Sequence, residues 1–244
     1  MTDILVSAFL LSLVLLGIHS YFGMEIIRRG IIFTDLAIGQ MAALGAATAL
    51  LFTGGKYAYI ISLAFAIGSA GLTTFASRRE KHLEAFIGLL YAFGVAGVFI
   101  LLSKSPHGME EFNELLASDI LLVPIRKIIE VAVLYLGIGL FLGFIYRKFS
   151  GMVKDFFFFA AFAFTITSSV RLAGVFVVFA LLVGPAFISL KFKKGFPLVN
   201  AWLIGIVINI ISIGVSYRFD LPTGYTIVLF QAFAALVVSL VKKE

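Results

Sequence analysis

Apolar runs of about twenty residues, separated by short polar turns, recur along this chain. At about 1.5 Å of rise per residue, a helix of that length crosses a hydrocarbon core of about 30 Å. Hydrophobic residues make up 61% of the 244 positions and charged residues 13%, with a mean hydropathy of +1.12. Soluble domains carry about 25% charged residues. A soluble core of this size cannot bury so much apolar surface, so the expected fold is all-α: a polytopic membrane bundle of about nine transmembrane helices, with 1–244 as one transmembrane domain. The absence of cysteine excludes disulfides, thiolate metal sites and cysteine catalysis. The formal charge of +6 does not point to nucleic acid, because the basic residues sit in short clusters between apolar runs. The first twenty residues lack a basic leader and a small-residue cleavage pattern, and are expected to be a retained helix.

The spacing predicts span one over about Ile4 to Phe22. Span two lies within Met24 to Phe52, after a basic turn at Arg28 and Arg29. Span three covers about Tyr57 to Phe75, and span four about Leu83 to Leu102. The longest polar connection, Lys104 to Asp119, leads to span five, about Ile125 to Tyr146. Four phenylalanines, Phe156 to Phe159, open span six, which fades into Thr165, Thr167, Ser168 and Ser169. Span seven covers about Leu172 to Leu190, with Gly184-Pro185 marking an expected kink. Spans eight and nine cover about Leu198 to Tyr217 and Tyr225 to Val241. Thirteen of the nineteen Lys and Arg residues fall in alternate connections if the N-terminus is outside and the C-terminus inside. That orientation places the acidic segment with Glu110, Glu111, Glu114 and Asp119 outside.

Polar groups within apolar spans are the candidate functional residues. Asp35 and Gln40 lie in span two, and His19 in the second half of span one. A carboxylate at mid-bilayer costs about 3 kcal/mol by insertion scales. Small residues Gly39, Ala43 and Ala47 recur at helical spacing, so span two is expected to pack closely in the protein interior. Asp35 then either lines a path or pairs with Arg28 or Arg29 at the inner end. His19 is either a ligand or a buried histidine bonded to a backbone carbonyl. Glu84 either joins the intramembrane group or pairs with Arg78 or Arg79. On the outer loop, His107, Glu110 and Glu111 bring an imidazole and two carboxylates within five residues. That loop either holds an arriving cation or is a solvated acidic segment facing a partner. Arg171 is expected to cap helix carbonyls or pair with an acid such as Asp220.

Five segments in order resemble the permease subunits of ATP-binding-cassette metal importers, in their zinc/manganese/iron branch. They are RRGIIFTDLAIGQMAALG (Arg28 to Gly45), EAFIGLLYAFGVAG (Glu84 to Gly97), ELLASDILLV (Glu114 to Val123), SVRLAGVFVVFALLVGPAFIS (Ser169 to Ser189) and DLPTGYTIVL (Asp220 to Leu229). The chain departs from that family in two places. The family's His, four residues after its Asp, falls on Gly39, or on Gln40 if the alignment slides by one. Asp35 and Gln40 are about 140° apart around an ideal helix, so the usual pair on one face is broken. The inner connection Arg147 to Asp155 is also short for the helix that docks on the family's ATPase.

The resemblance implies a transport subunit, with no catalytic residues or tightly bound cofactor of its own, that carries a divalent metal, zinc or manganese first and iron next. Its implied metal residues are Asp35 and Gln40 in the membrane, His107, Glu110 and Glu111 outside, and His19. Its implied partners are a second copy, an ATPase subunit inside and a metal-binding protein outside. Its implied location is the prokaryotic plasma (inner) membrane, as a multi-pass protein. The alternative is a secondary transporter driven by a proton or sodium gradient, with Asp35 as coupling group. It expects paired broken helices in internal repeats, and the sequence shows no such repeat. An intramembrane enzyme is disfavoured by the lack of His-Glu-x-x-His or Gly-x-Ser-x-Gly.

The charge bias predicts which loops an impermeant thiol reagent reaches in intact cells. Cysteine placed in the 104–119 segment should label from outside, and Arg79→Cys and Lys193→Cys should not. Labelling of Arg79→Cys from outside would overturn the orientation.

Overall fold

The structure is a computed structural model describing residues 2–105, 107–110, 112, 120–192 and 195–241. Among the described residues there are nine α-helices and no strand. They are α1 (Thr2–Arg29), α2 (Thr34–Thr53), α3 (Ala58–Arg79), α4 (Leu83–Leu102), α5 (Ile125–Leu140), α6 (Gly151–Ala173), α7 (Val175–Leu190), α8 (Pro197–Phe219) and α9 (Thr223–Val241). Eight segments are long and apolar enough to cross a membrane, and α7 is a shorter apolar helix. Glu111, the whole of 113–119, with Glu114 and Asp119, and Lys193 and Lys194 lie outside the described residues.

Several boundaries differ from the sequence expectation for local reasons. The segment 24–29 belongs to α1, which runs on through Arg28 and Arg29 in its last turn. Cations there favour the negative end of the helix dipole. The break falls at Gly30, whose φ of +66° is a left-handed value that glycine adopts at little cost. Asp35 therefore lies in the first turn of α2, not within the middle of a long span. The hydroxyls of Thr165, Thr167, Ser168 and Ser169 do not end span six. Each donates to a backbone carbonyl three or four residues earlier, which hides its polarity within α6. Spans six and seven are separate helices, divided at Gly174 with φ +82°. α7 continues through Pro185.

Past α5 the chain tightens into a π-helical turn, Phe141–Ile145, and a 3-10 turn, Tyr146–Lys148. Gly151, at φ +60°, opens α6 directly. The Phe156 to Phe159 run packs this turn in place. Phe149 stacks on Phe157 at 4.6 Å between centroids, and Phe141 meets the same ring edge-on at 5.6 Å. The segment thus holds no separate helix between the two spans, as its length led us to expect.

The chain divides into two compact units. One comprises residues 1–32, 118–136 and 172–244, and α7 is its central helix, packed against α1, α8 and α9. Ten of the sixteen residues of α7 are buried. The other comprises residues 33–117 and 137–171, and its central helix is α2, packed against α3 and α4. Twelve of the twenty residues of α2 are buried. Glycines set how closely the central helices are approached. A Cβ at Gly45 would lie 2.7 Å from the Ile61 carbonyl oxygen and Ser62 Cα of α3. A Cβ at Gly94 of α4 would lie 3.0 Å from the Gln40 backbone, and one at Gly97 2.8 Å from Leu44 Cδ1. In the other unit, a Cβ at Gly23 would overlap the Leu182 carbonyl of α7. These are close helix crossings of the kind small residues permit in membranes.

The expected consequence is selective intolerance of a single methyl group. Gly23→Ala and Gly45→Ala should each destabilise the detergent-solubilised protein by about 1–3 kcal/mol, because backbone atoms must move. Gly17→Ala, where nothing lies within 4 Å, should be neutral. Equal thermal midpoints for all three would contradict these crossings.

Candidate functional site

In a bilayer a buried polar atom has no water to turn to, so atoms left without a partner are informative. Among the described residues seven buried side-chain atoms have no hydrogen-bond partner: His19 Nε2, Ser20 Oγ, Asp35 Oδ1, Thr73 Oγ1, Glu84 Oε2, Asn209 Nδ2 and Gln231 Oε1. Three of them, on Asp35, Thr73 and Glu84, belong to the unit around α2, and the other four to the unit around α7.

Asp35 is 3% exposed and sits in the first turn of α2, where the helix dipole favours a negative charge. The charge acting on it through space is that of Glu84. Glu84 occupies the matching first turn of α4. Its Oε1 accepts the Phe33 backbone N–H at 3.3 Å, which ties the start of α4 to the residue capping α2. Further along, Gln40 meets Gly94 and Leu44 meets Gly97, so α2 and α4 run in the same direction and share the end that carries both acids. The anticipated pairing of Glu84 with Arg78 or Arg79 does not form. Arg78 donates to Asp155 and ties α3 to the start of α6, and Arg79 stacks on Phe75 with 4.3 Å to the ring centroid. Arg28 pairs with Glu25 at 3.4 Å.

The remaining expected site residues are scattered. Gln40 is half-buried on α2, one turn beyond Asp35. His19 is fully buried and its Nδ1 bonds the Leu15 carbonyl at 2.8 Å. A carbonyl only accepts, so Nδ1 carries the proton and Nε2 is left as an acceptor. Its ring meets Tyr135 edge-on at 6.2 Å. His107 and Glu110 are three-quarters exposed and 3.7 Å apart, His107 in a turn and Glu110 in the helical residues that follow it. Arg171 lies over the Tyr59 ring, 5.2 Å from its centroid, rather than capping a helix. Among the described residues no three His, Asp or Glu side chains converge on one point.

One buried feature escaped the sequence reading. Gln231 Nε2 of α9 donates to Asn209 Oδ1 of α8 at 3.0 Å, with both side chains fully buried. Gly184 of α7 leaves room for it, because a Cβ there would lie 3.1 Å from Gln231 Oε1. The signal was available as two amides at mid-span in spans eight and nine. Such pairs act as clasps between membrane helices.

The family profile that matches this chain does so twice, over residues 1–155 and 152–242, and describes the ABC 3 transport family. The chain belongs to the ABC 3 transport family. It is accordingly a permease subunit of an ABC transporter. A curated relative, an uncharacterised membrane protein of Synechocystis sp., is 25% identical over 197 residues, covering 74% of this chain and 69% of the relative. Two solved structures share the fold. One is PsaBC from Streptococcus pneumoniae in complex with a Fab, with TM-score 0.72 and 17% identity, covering 96% of this chain and 90% of that one. The other is described as a metal-chelate type ABC transporter in an inward-facing conformation, with TM-score 0.65 and 14% identity over 96% and 85% of the two chains.

Proposed function

We propose that this ABC 3 permease carries a divalent metal ion inward across a prokaryotic plasma membrane, working with a second copy of itself, an ATPase subunit and an external metal-binding protein. The observation that carries the reading is Asp35: a carboxylate 3% exposed, in a membrane-spanning bundle, with one oxygen lacking any hydrogen-bond partner. Removing a charge from water in this way is costly unless something compensates it, and a passing cation does so. Membership of the family supports the ATP-driven class over a gradient-driven one. The metal-chelate transporter sharing the fold supports a metal cargo.

In this mechanism ATP-driven closure of the partner subunit switches the path between outward and inward access. The switch needs contacts to cargo that differ between the two states. Asp35 supplies charge and Gln40 an oxygen along α2. His107 and Glu110, exposed on their loop, offer a first contact outside, and the orientation with that loop outside follows the charge bias. His19 stands apart as a neutral acceptor in α1.

Asp35→Asn tests the proposal, because it removes the charge and keeps the shape. Uptake of radiolabelled divalent metal by the whole assembled transporter should fall tenfold or more, since about 1.4 kcal/mol of lost stabilisation is already tenfold. Gln40→Ala should reduce uptake less. Normal uptake by a well-expressed Asp35→Asn transporter would sink the role given to Asp35.

A further inference from the structure

We infer that the turn of α7 at Gly184-Pro185 binds one buried water molecule between α7, α8 and α9, and that this hydrated turn is a hinge in the central helix of its unit. The site lies in the other unit from Asp35 and stands whether or not Asp35 meets a metal.

α7 runs on through Pro185. Proline has no N–H, so the carbonyl of Leu181, four residues earlier, loses the bond that residue 185 would otherwise give it. Leu181, Gly184 and Pro185 are all buried. Inside a membrane bundle a freed carbonyl is met by a neighbouring helix, a hydroxyl or an ordered water. The missing side chain at Gly184 lets α9 close on this turn. A Cβ there would lie 3.1 Å from Gln231 Oε1, 3.4 Å from Gln231 Cβ and 3.5 Å from the Gln231 carbonyl oxygen. The Leu181 carbonyl points up the same turn, because helix carbonyls face the residue four positions on.

The clasp between α8 and α9 is only half satisfied. Gln231 Nε2 donates to Asn209 Oδ1 at 3.0 Å, yet Gln231 Oε1 and Asn209 Nδ2 have no partner, and both side chains are fully buried. Together with the Leu181 carbonyl, the turn presents two acceptors and one donor from three helices. That balance selects the ligand. The Asn209 N–H repels a metal ion, and the two carbonyl oxygens repel an anion. An apolar group leaves all three atoms unmet. A water molecule donates twice and accepts once, and about three hydrogen bonds are usual for a buried water.

The consequence is mechanical. Where a water stands in for a backbone bond, a helix bends and opens locally at lower cost than along an unbroken ladder. α1, α8 and α9 all pack on α7, so bending at this turn shifts one half of the unit against the other.

The test uses the full transporter in lipid nanodiscs. A cryo-electron microscopy map that resolves ordered waters should show a peak within about 2.7–3.2 Å of Gln231 Oε1, Asn209 Nδ2 and the Leu181 oxygen. Pro185→Ala returns an N–H to the Leu181 carbonyl. That variant should lose the peak, and its backbone hydrogen exchange over 182–189, read by mass spectrometry, should slow tenfold or more. Asn209→Leu leaves α7 untouched and removes the donor, and it should lose the peak as well, which tests the site even if Pro185→Ala fails to assemble. A wild-type map without the peak, with the amides turned so that Gln231 bonds the Leu181 carbonyl directly, overturns the water site, as does a peak that persists in Asn209→Leu. Exchange over 182–189 as fast in Pro185→Ala as in the wild type overturns the hinge.

Discussion

A methyl group does not fit where α3 and α4 cross α2. Gly45 of α2 meets the α3 backbone and Gly94 of α4 meets the α2 backbone at Gln40, where an added Cβ would come within 2.7 and 3.0 Å. With no hydrophobic force to drive helices together inside lipid, packing of this closeness is what holds them. It also sets the site. Because α4 lies flush along α2 in the same direction, its first turn arrives beside the first turn of α2, and Glu84 arrives beside Asp35. The Phe33 N–H to Glu84 bond completes that registration at 3.3 Å. A looser crossing would let the two acids separate and hydrate independently.

The unit around α7 uses the same device with a different outcome. Gly23 lets α1 reach the Leu182 carbonyl, and Gly184 admits Gln231 to its bond with Asn209. Here the polar groups meet each other and act as a clasp. Around α2 the buried groups left without a partner are the carboxyls of Asp35 and Glu84 and the Thr73 hydroxyl, with no amide pair among them.

Much of this was legible in the sequence. The count of nine apolar runs followed from length and hydropathy, and the structure has nine helices among its described residues, whereas the separation of spans six and seven was left open and rests on the break at Gly174. The weight placed on the α2 stretch followed from its small residues and buried acid. What was not legible depended on backbone detail and on partners distant in sequence. The left-handed turn at Gly30 moved Asp35 from mid-helix to the first turn, and one glycine in a basic turn does not announce its φ. The sequence left Glu84 between the intramembrane group and a pairing with Arg78 or Arg79. Only the fold shows that Asp155, 77 residues further on, takes Arg78. The hydroxyls of Thr165 to Ser169 read as a fading span because periodicity does not reveal bonds back to the helix's own carbonyls.

The account stands on a divalent cation meeting Asp35 in the first turn of α2. An anomalous-difference map of the Mn2+-loaded transporter, collected near the manganese absorption edge, reads this directly. The account predicts a peak within coordination distance, about 2–2.6 Å, of a carboxylate oxygen of Asp35. A peak at His19 or on the 107–110 segment, with none at Asp35, would contradict it.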